Sequence, residues 1–358
     1  MTDKFKIKNL ISYLAVAAVI LSLSVSLFSC GSPGDGSDSG TSLSSDENLT
    51  IHFLDVGQAD STLLISKGEA MLVDAGNRDD DDLIVSYLNE LGIEELKYIV
   101  FTHPHEDHIG AGEAVLNNFS VDKVFMLDEY DEGIEGSLKA CIERKNITAQ
   151  APSPGEKADF GECEIEFLGP FEDHKSPNDD SICLMVRHGD NSIMFTGDAG
   201  SGAERDVIEN NGNIEADILQ AGHHGSSTSN SYYFLRQVNP RYVVISCGEG
   251  NMYGHPHEEA LSRFSDLGAE VFRTDEQGTI IAEDNGENIT FNCKGKQAEM
   301  PYRDEAEEAD YIGNVNSKKY HRPDCAGLPK EENRVYFMSR EKAESAGYEP
   351  CGNCHPDE

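Results

Sequence analysis

Residues 103–108 read His-Pro-His-Glu-Asp-His, which puts three imidazoles and an aspartate within six positions. Imidazole and carboxylate together suit small divalent cations such as zinc and manganese, so this segment points to hydrolytic metal chemistry. His103 and His105 alternate and project together if extended backbone persists, which leaves Asp107 and His108 for a second ion. A second donor group lies near the C-terminus. His321-x3-Cys325 and Cys351-x2-Cys354 supply one imidazole and three thiols across a 25-residue spacer. That set closes a structural zinc site in a module too small to hold itself by core burial. Cys351-Gly-Asn-Cys354-His355 also fits c-type haem attachment, but haem leaves His321 and Cys325 unused, so zinc is the favoured reading. A redox role for this pair lacks its βαβ context.

These residues need elements to hold them. Thr50–Leu54, Thr62–Ile65, Ala70–Val73 and Tyr98–Phe101 read as strands, with a helix near Leu83–Leu91, so the histidine segment sits at a strand-to-loop junction. The alternation recurs: Glu164–Leu168, Ser181–Arg187, Ser192–Thr196, Ile218–Ala221 and Tyr242–Ser246 read as strands and Ala203–Asn210 as a helix. Mixed strands with covering helices imply layered α/β architecture. The expected divisions are an export signal at 1–30, a Gly/Ser/Asp tether at 31–47, a hydrolase domain at 48–294, an acidic linker at 295–310 and a zinc module at 311–358.

Lys4, Lys6 and Lys8 precede an apolar run from Leu10 to Phe28, which reads as an export signal. The following Ser29-Cys30-Gly31 resembles the lipobox of bacterial lipoproteins, with Cys30 lipidated. The expected location is therefore the outer face of the bacterial cell membrane, held by a lipid anchor; an uncleaved transmembrane anchor is the alternative. The formal charge is -38, from 28 Lys+Arg and 66 Asp+Glu. That excess opposes sequence-blind attraction to nucleic acid or anionic membrane, so a polyanionic substrate would have to be captured locally. Cys141, Cys163, Cys183, Cys247 and Cys293 are odd in number and widely spaced, which favours buried thiols over a disulfide framework.

Phe53-Leu54-Asp55-Val56-Gly57-Gln58-Ala59-Asp60, Val73-Asp74-Ala75-Gly76, Thr196-Gly197-Asp198 and His223-His224-Gly225-Ser226 accompany the histidine segment. Together they resemble the metallo-β-lactamase superfamily, and more narrowly the ComEC-like hydrolase domains of competence proteins. The resemblance implies a four-layer αββα sandwich with two divalent ions (zinc or manganese) at one edge. His103 and His105 would hold the first ion and Asp107 and His108 the second, with Asp107 also a candidate catalytic group. Asp198 would bridge the ions, and His223 or His224 would complete the second. Many members give the first ion another histidine, but Pro177–Ser181 has none. Only His174 and His188 are near, so water or Asp180 would substitute, and β-lactam hydrolysis is not expected. His255, in Gly254-His255-Pro256-His257, is the candidate proton donor to the leaving group. Asp55, Asp74 and Gln58 are expected at most to orient ligands, since turn chemistry at strand ends would produce the same residues. The C-terminal segment resembles the metal-binding domain of Ada through Gly313-Asn314, His321, Cys325, Leu328-Pro329, Asn333-Arg334 and Gly347-Tyr348.

The implied function is phosphodiester hydrolysis at two ions, with DNA outside the cell as leading substrate and no obligate protein partner evident. One alternative is a phosphorylcholine esterase of the cell envelope. Another is a non-catalytic lipoprotein that holds DNA or an envelope partner through its zinc module.

Overall fold

The computed structural model describes residues 48–127, 134–171, 176–297 and 311–356, except positions 315, 324, 331, 332, 338, 339 and 346. Cys30, the export signal, the tether and His174 lie outside the described residues.

Strands β1 (Leu49–Phe53), β2 (Thr62–Ser66) and β3 (Glu69–Val73) pair antiparallel. From β3 the sheet continues in parallel through β4 (Glu95–Val100), β5 (Ser120–Phe125) and β6 (Thr148–Gln150). The crossovers carry α1 (Asp81–Glu90), the one-turn α2 (Glu106–Ile109), α3 (Gly112–Asn118) and α4 (Ile134–Lys145). The second half repeats this plan. Its antiparallel part is β7 (Lys157–Phe160), β8 (Cys163–Gly169), β9 (Cys183–His188) and β10 (Asn191–Phe195). Its parallel part continues through β11 (Ile218–Gln220), β12 (Tyr242–Ile245) and β13 (Glu270–Arg273). Between them run α5 (Ser201–Asn210), α6 (Tyr232–Val238) and α7 (Glu258–Asp266), and α8 (Thr274–Gln277) follows β13.

The chain then stitches the halves together. Hairpin β14 (Ile280–Asp284) and β15 (Ile289–Phe291) joins the first sheet beside β1, and β16 (Lys296–Gln297) joins the second beside β13. The orders are β15-β14-β1-β2-β3-β4-β5-β6 and β16-β13-β12-β11-β10-β9-β8-β7. Lys296 and Gln297, expected in the linker, are thus the last strand of the second sheet; an edge strand of two residues carries no readable periodicity.

Alternation in each strand builds the layers. Ile51, Phe53, Leu64, Met71, Val73, Val100 and Phe125 meet Ile165, Phe167, Leu184, Val186, Ile193 and Phe195 in one core between the sheets. The other face of the second sheet, through Met185, Met194, Leu219, Val243 and Val271, packs on Val207, Phe234, Leu235 and Phe264 of its helices. Strands buried on both faces read as apolar runs, as in Ile193–Phe195 of β10 and Val243–Ile245 of β12.

The C-terminal module has β17 (Tyr311–Asn314), β18 (Lys319–His321), β19 (Arg334–Phe337), α9 (Arg340–Ser345) and β20 (Glu349–Pro350), with sheet order β19-β17-β18-β20. Its apolar cluster is Tyr320, Phe337, Ala343 and Tyr348, with Tyr311 packed against it. So small a core needs another source of stability. Among the described residues no helix is long and apolar enough to cross a membrane.

Candidate metal centres

The carboxyl ends of β3, β4, β10, β11 and β12 converge at one edge of the sandwich, where open α/β sheets place their ligands. Asp74 follows β3 and β4 leads to His103 and His105, while α2 presents Asp107 and His108. Asp198 follows β10, and β11 runs into a turn at Gly222–Gly225 that carries His223 and His224. Gly110 lets α2 press against the preceding loop: a Cβ there would lie 2.3 Å from the backbone nitrogen of Arg78. Gly197 has φ +49°, and a Cβ would sit 2.8 Å from Thr102 Oγ1, so only glycine brings the Asp198 turn this close to the histidine loop.

Asp198 divides the cluster. Its Oδ2 is 3.6 Å from His103 Nε2 and 3.5 Å from His223 Nε2, and His105 Nδ1 is 3.1 Å from His103 Nε2. Its Oδ1 is 3.3 Å from His108 Nε2 and 3.8 Å from His224 Nε2, which in turn is 3.2 Å from Asp107 Oδ2. One carboxylate therefore presents each oxygen to a separate donor set. The two neighbouring histidines fall on opposite sides, where one was expected to serve and the other to assist. Two successive left-handed residues make this possible, with φ/ψ of 52°/47° at His223 and 52°/30° at His224. Such backbone is costly for residues with a Cβ and persists only under external constraint. The constraint is visible. Asn230 accepts from Gly222 N and donates to Gly222 O, both at 2.9 Å. The Glu204 carboxylate of α5 accepts from the backbone N–H groups of Asn230 and Ser231, and Arg263 Nη1 of α7 donates to the carbonyls of Ser229 and Asn230.

Carboxylates also fix the imidazoles from behind. Asp74 accepts from Thr102 N and Thr102 Oγ1 at 2.8 Å, and its Oδ2 lies 2.8 Å from His108 Nδ1. His224 Nδ1 is 3.1 Å from the Ser246 carbonyl and 3.5 Å from Asp60 Oδ1. Both contacts turn Nε2 inward, the arrangement that oriented metal ligands require. Asp55, expected to do similar work, instead caps its own turn by accepting from Gly57 N. His188 is taken up by Asp284, 3.1 Å away. Ser181, in the stretch lacking a histidine, accepts from Asp198 N at 3.0 Å.

Burial acts on all these groups, and the local charges decide which way each titrates. Burial drives His108 and His224 down, but Asp198 and Asp74 outweigh it for His108, and Asp60, Asp198 and Asp107 for His224. Both therefore end well above the usual imidazole range. Burial raises Asp107, yet the His224 hydrogen bond and the His108 and His224 charges bring it down to about 2. Asp198 is likewise held well below its usual range, against burial, chiefly by His108 and His224. His103 is pushed down by burial and by His108. The buried His108 Nε2 and Asp198 Oδ1 face each other without making a hydrogen bond. Buried donors of this chemistry, aimed together and unsatisfied, fit divalent cations.

His255 stands over the cluster, its ring 5.5 Å from that of His223 and 6.2 Å from that of His224. Gln58 Oε1 accepts from Gly248 N at 3.1 Å, which orients the amide so that Nε2 donates to His255 Nδ1 at 3.3 Å. That bond leaves the ring proton on Nε2. Burial, then the charges of His224 and His223, bring His255 down to about 4, so at neutral pH it is a neutral imidazole.

In the C-terminal module, His321, Cys325, Cys351 and Cys354 bring their donor atoms within 4.8 Å of one another. Backbone N–H groups of Gly327, Asn353 and Arg322 point at the Cys325, Cys351 and Cys354 sulfurs, each at 3.4 Å, which suits thiolates. His355, the haem candidate, is not in the cluster. Cys141, Cys163, Cys183, Cys247 and Cys293 are free thiols, and burial pushes Cys163, Cys183 and Cys247 up to about 12.

Fold and site together define a metal-dependent hydrolase of the αββα type. Residues 54–249 match the metallo-beta-lactamase superfamily, and the chain belongs to it. Residues 296–357 match the metal binding domain of Ada. The chain is 29% identical over 254 residues to ComE operon protein 3 of Bacillus subtilis, covering 64% of this chain and 32% of that one. It is 30% identical over 238 residues to competence protein ComA of Neisseria gonorrhoeae, covering 66% and 32%. The chain thus spans about a third of the length of these relatives. Among solved structures, the metallo-beta-lactamase fold protein YhfI from Bacillus subtilis is 15% identical, with a TM-score of 0.46 over 66% of this chain and 100% of that one.

Proposed function

We propose that this chain is an exported, lipid-anchored phosphodiesterase that cleaves DNA outside the cell. The observation that carries the reading is the division of donors by Asp198, one oxygen toward each set. In this reading His103, His105, His223 and Asp198 hold one ion, and Asp107, His108, His224 and Asp198 hold the other. His223 then supplies the imidazole that Pro177–Ser181 lacks. When bound, two such ions supply a nucleophile at neutral pH and stabilise charge on a phosphoryl oxygen.

The chain's own residues do the rest. Asp74 and Asp60 keep the inward nitrogens of His108 and His224 aimed, and Glu204 with Arg263 holds the strained turn. Neutral His255, the candidate proton donor, offers an N–H to the substrate or leaving group. His321, Cys325, Cys351 and Cys354 hold a structural zinc, which would free the Ada-like module to dock nucleic acid beside the hydrolase. The ComEC-like motif resemblance is what favours DNA as the substrate. Cleavage of single- and double-stranded DNA by the full chain with added Mn²⁺ or Zn²⁺ tests the reading. Cleavage by the wild type that disappears in His105→Ala is expected; unchanged cleavage in that variant, or none by the wild type, refutes it.

A further inference from the structure

Among the described residues, Met252 and Tyr253 are the exposed large hydrophobic side chains, at 90% and 61% exposure. Scattered apolar residues on a surface need no explanation, but these two are adjacent and sit at the tip of a braced loop beside the cluster. Asn251 Oδ1 accepts from Tyr253 N at 3.1 Å and from His255 N at 3.0 Å, while its Nδ2 donates to the Gly248 carbonyl at 3.0 Å. The Tyr253 carbonyl lies 3.2 Å from His257 Nε2. The backbone is thus fixed from several sides while the two side chains reach into solvent.

The Tyr253 ring does not point at random. It lies 5.7 Å from the His255 ring at an interplanar angle of 24°, and His255 continues at 6.2 Å and 29° to His224. A column of nearly parallel rings therefore runs from solvent to the ligand set. One face of Tyr253 is backed by His255, and an exposed, pre-ordered aromatic surface remains for a flat partner.

We infer that Tyr253, flanked by Met252, is a stacking platform for an unpaired nucleobase of the strand whose phosphodiester lies at the cluster. The inference rests on the nuclease reading and adds to it a preference for single strands, because a duplex keeps its base faces covered. Stacking on aromatic rings tolerates any base, so no sequence preference is expected. It also supplies affinity that a chain of charge -38 does not gain from general electrostatics.

The test is equilibrium binding by fluorescence anisotropy, using the full chain loaded with zinc. The probes are a thymidine decamer and the same decamer with abasic sugars, both with phosphorothioate linkages to slow cleavage. The wild type should hold the base-bearing strand about ten-fold more tightly. Tyr253→Ala should abolish that difference by weakening only the base-bearing strand, and Tyr253→Phe should preserve it. Equal binding of the two decamers by the wild type overturns the inference, as does a difference that survives in Tyr253→Ala. So does a Tyr253 dependence seen with phosphocholine and not with the decamer. Cleavage of the unmodified decamer is measured separately: its absence counts against the nuclease reading, while the binding difference alone decides the platform.

Discussion

Loading the hydrolase centre with metal should expel at least two protons. His108 and His224 each face carboxylates that hold their pKa values well above the ordinary imidazole range, so without metal both carry a proton on each ring nitrogen at pH 7. Their Nδ1 atoms are turned to Asp74 and to Ser246 and Asp60, so coordination must occur through Nε2 and displace that proton. The two imidazole protons alone make binding steepen by two decades per pH unit, about 2.7 kcal/mol at 1.36 kcal/mol per decade. Isothermal titration at pH 7 in buffers of different ionisation heat counts the protons. Stability of the metal-free protein should follow the same groups. Folded-state pKa values raised above the unfolded one contribute stability that is complete below about pH 6.5 and is lost as pH rises through the raised values. The metal-free melting temperature should therefore fall from neutral to alkaline pH, and the metal-loaded one should not. Asp198, held low, contributes at all pH values above its unfolded range and does not offset this. Release of fewer than one proton, or affinity independent of pH between 6.5 and 8, would refute the charge arrangement.

Glu204→Ala removes the acceptor for the backbone N–H groups of Asn230 and Ser231 in a fully buried position. It should cost about 3 kcal/mol or more, roughly 6–12 °C in thermal unfolding, and weaken binding of both ions because His223 and His224 share the turn. An unchanged melting temperature would show that the turn is held by other means. Cys325→Ser should remove one zinc per chain and expose the C-terminal module to protease while leaving the hydrolase ions in place. Retention of that zinc would contradict the four-ligand assignment.

Much of this was legible in the sequence because the signals were local. Doubly buried strands announce themselves as apolar runs, and His103–His108 crowds its donors into one turn. What escaped depends on distant partners. Asp60 sits in a Gln58-Ala59-Asp60-Ser61 stretch that resembles turn chemistry, and its proximity to His108 and His224 exists only after β1 and β11 have been brought to one edge. Glu204 and Arg263 belong to no local motif, yet both are buried beneath the strained turn. The separation of His223 from His224 follows from two left-handed residues in succession, which no spacing rule encodes. Asp55 takes the turn role, the other use of a carboxylate near a strand end.

Elemental analysis of the full-length chain beside its Asp198→Ala variant tests the central claim most directly. Three metals per wild-type chain are expected, falling to one in the variant as the divided carboxylate is lost and the zinc module keeps its own ion. Two or more metals retained in Asp198→Ala would contradict a centre in which that carboxylate joins the two ions.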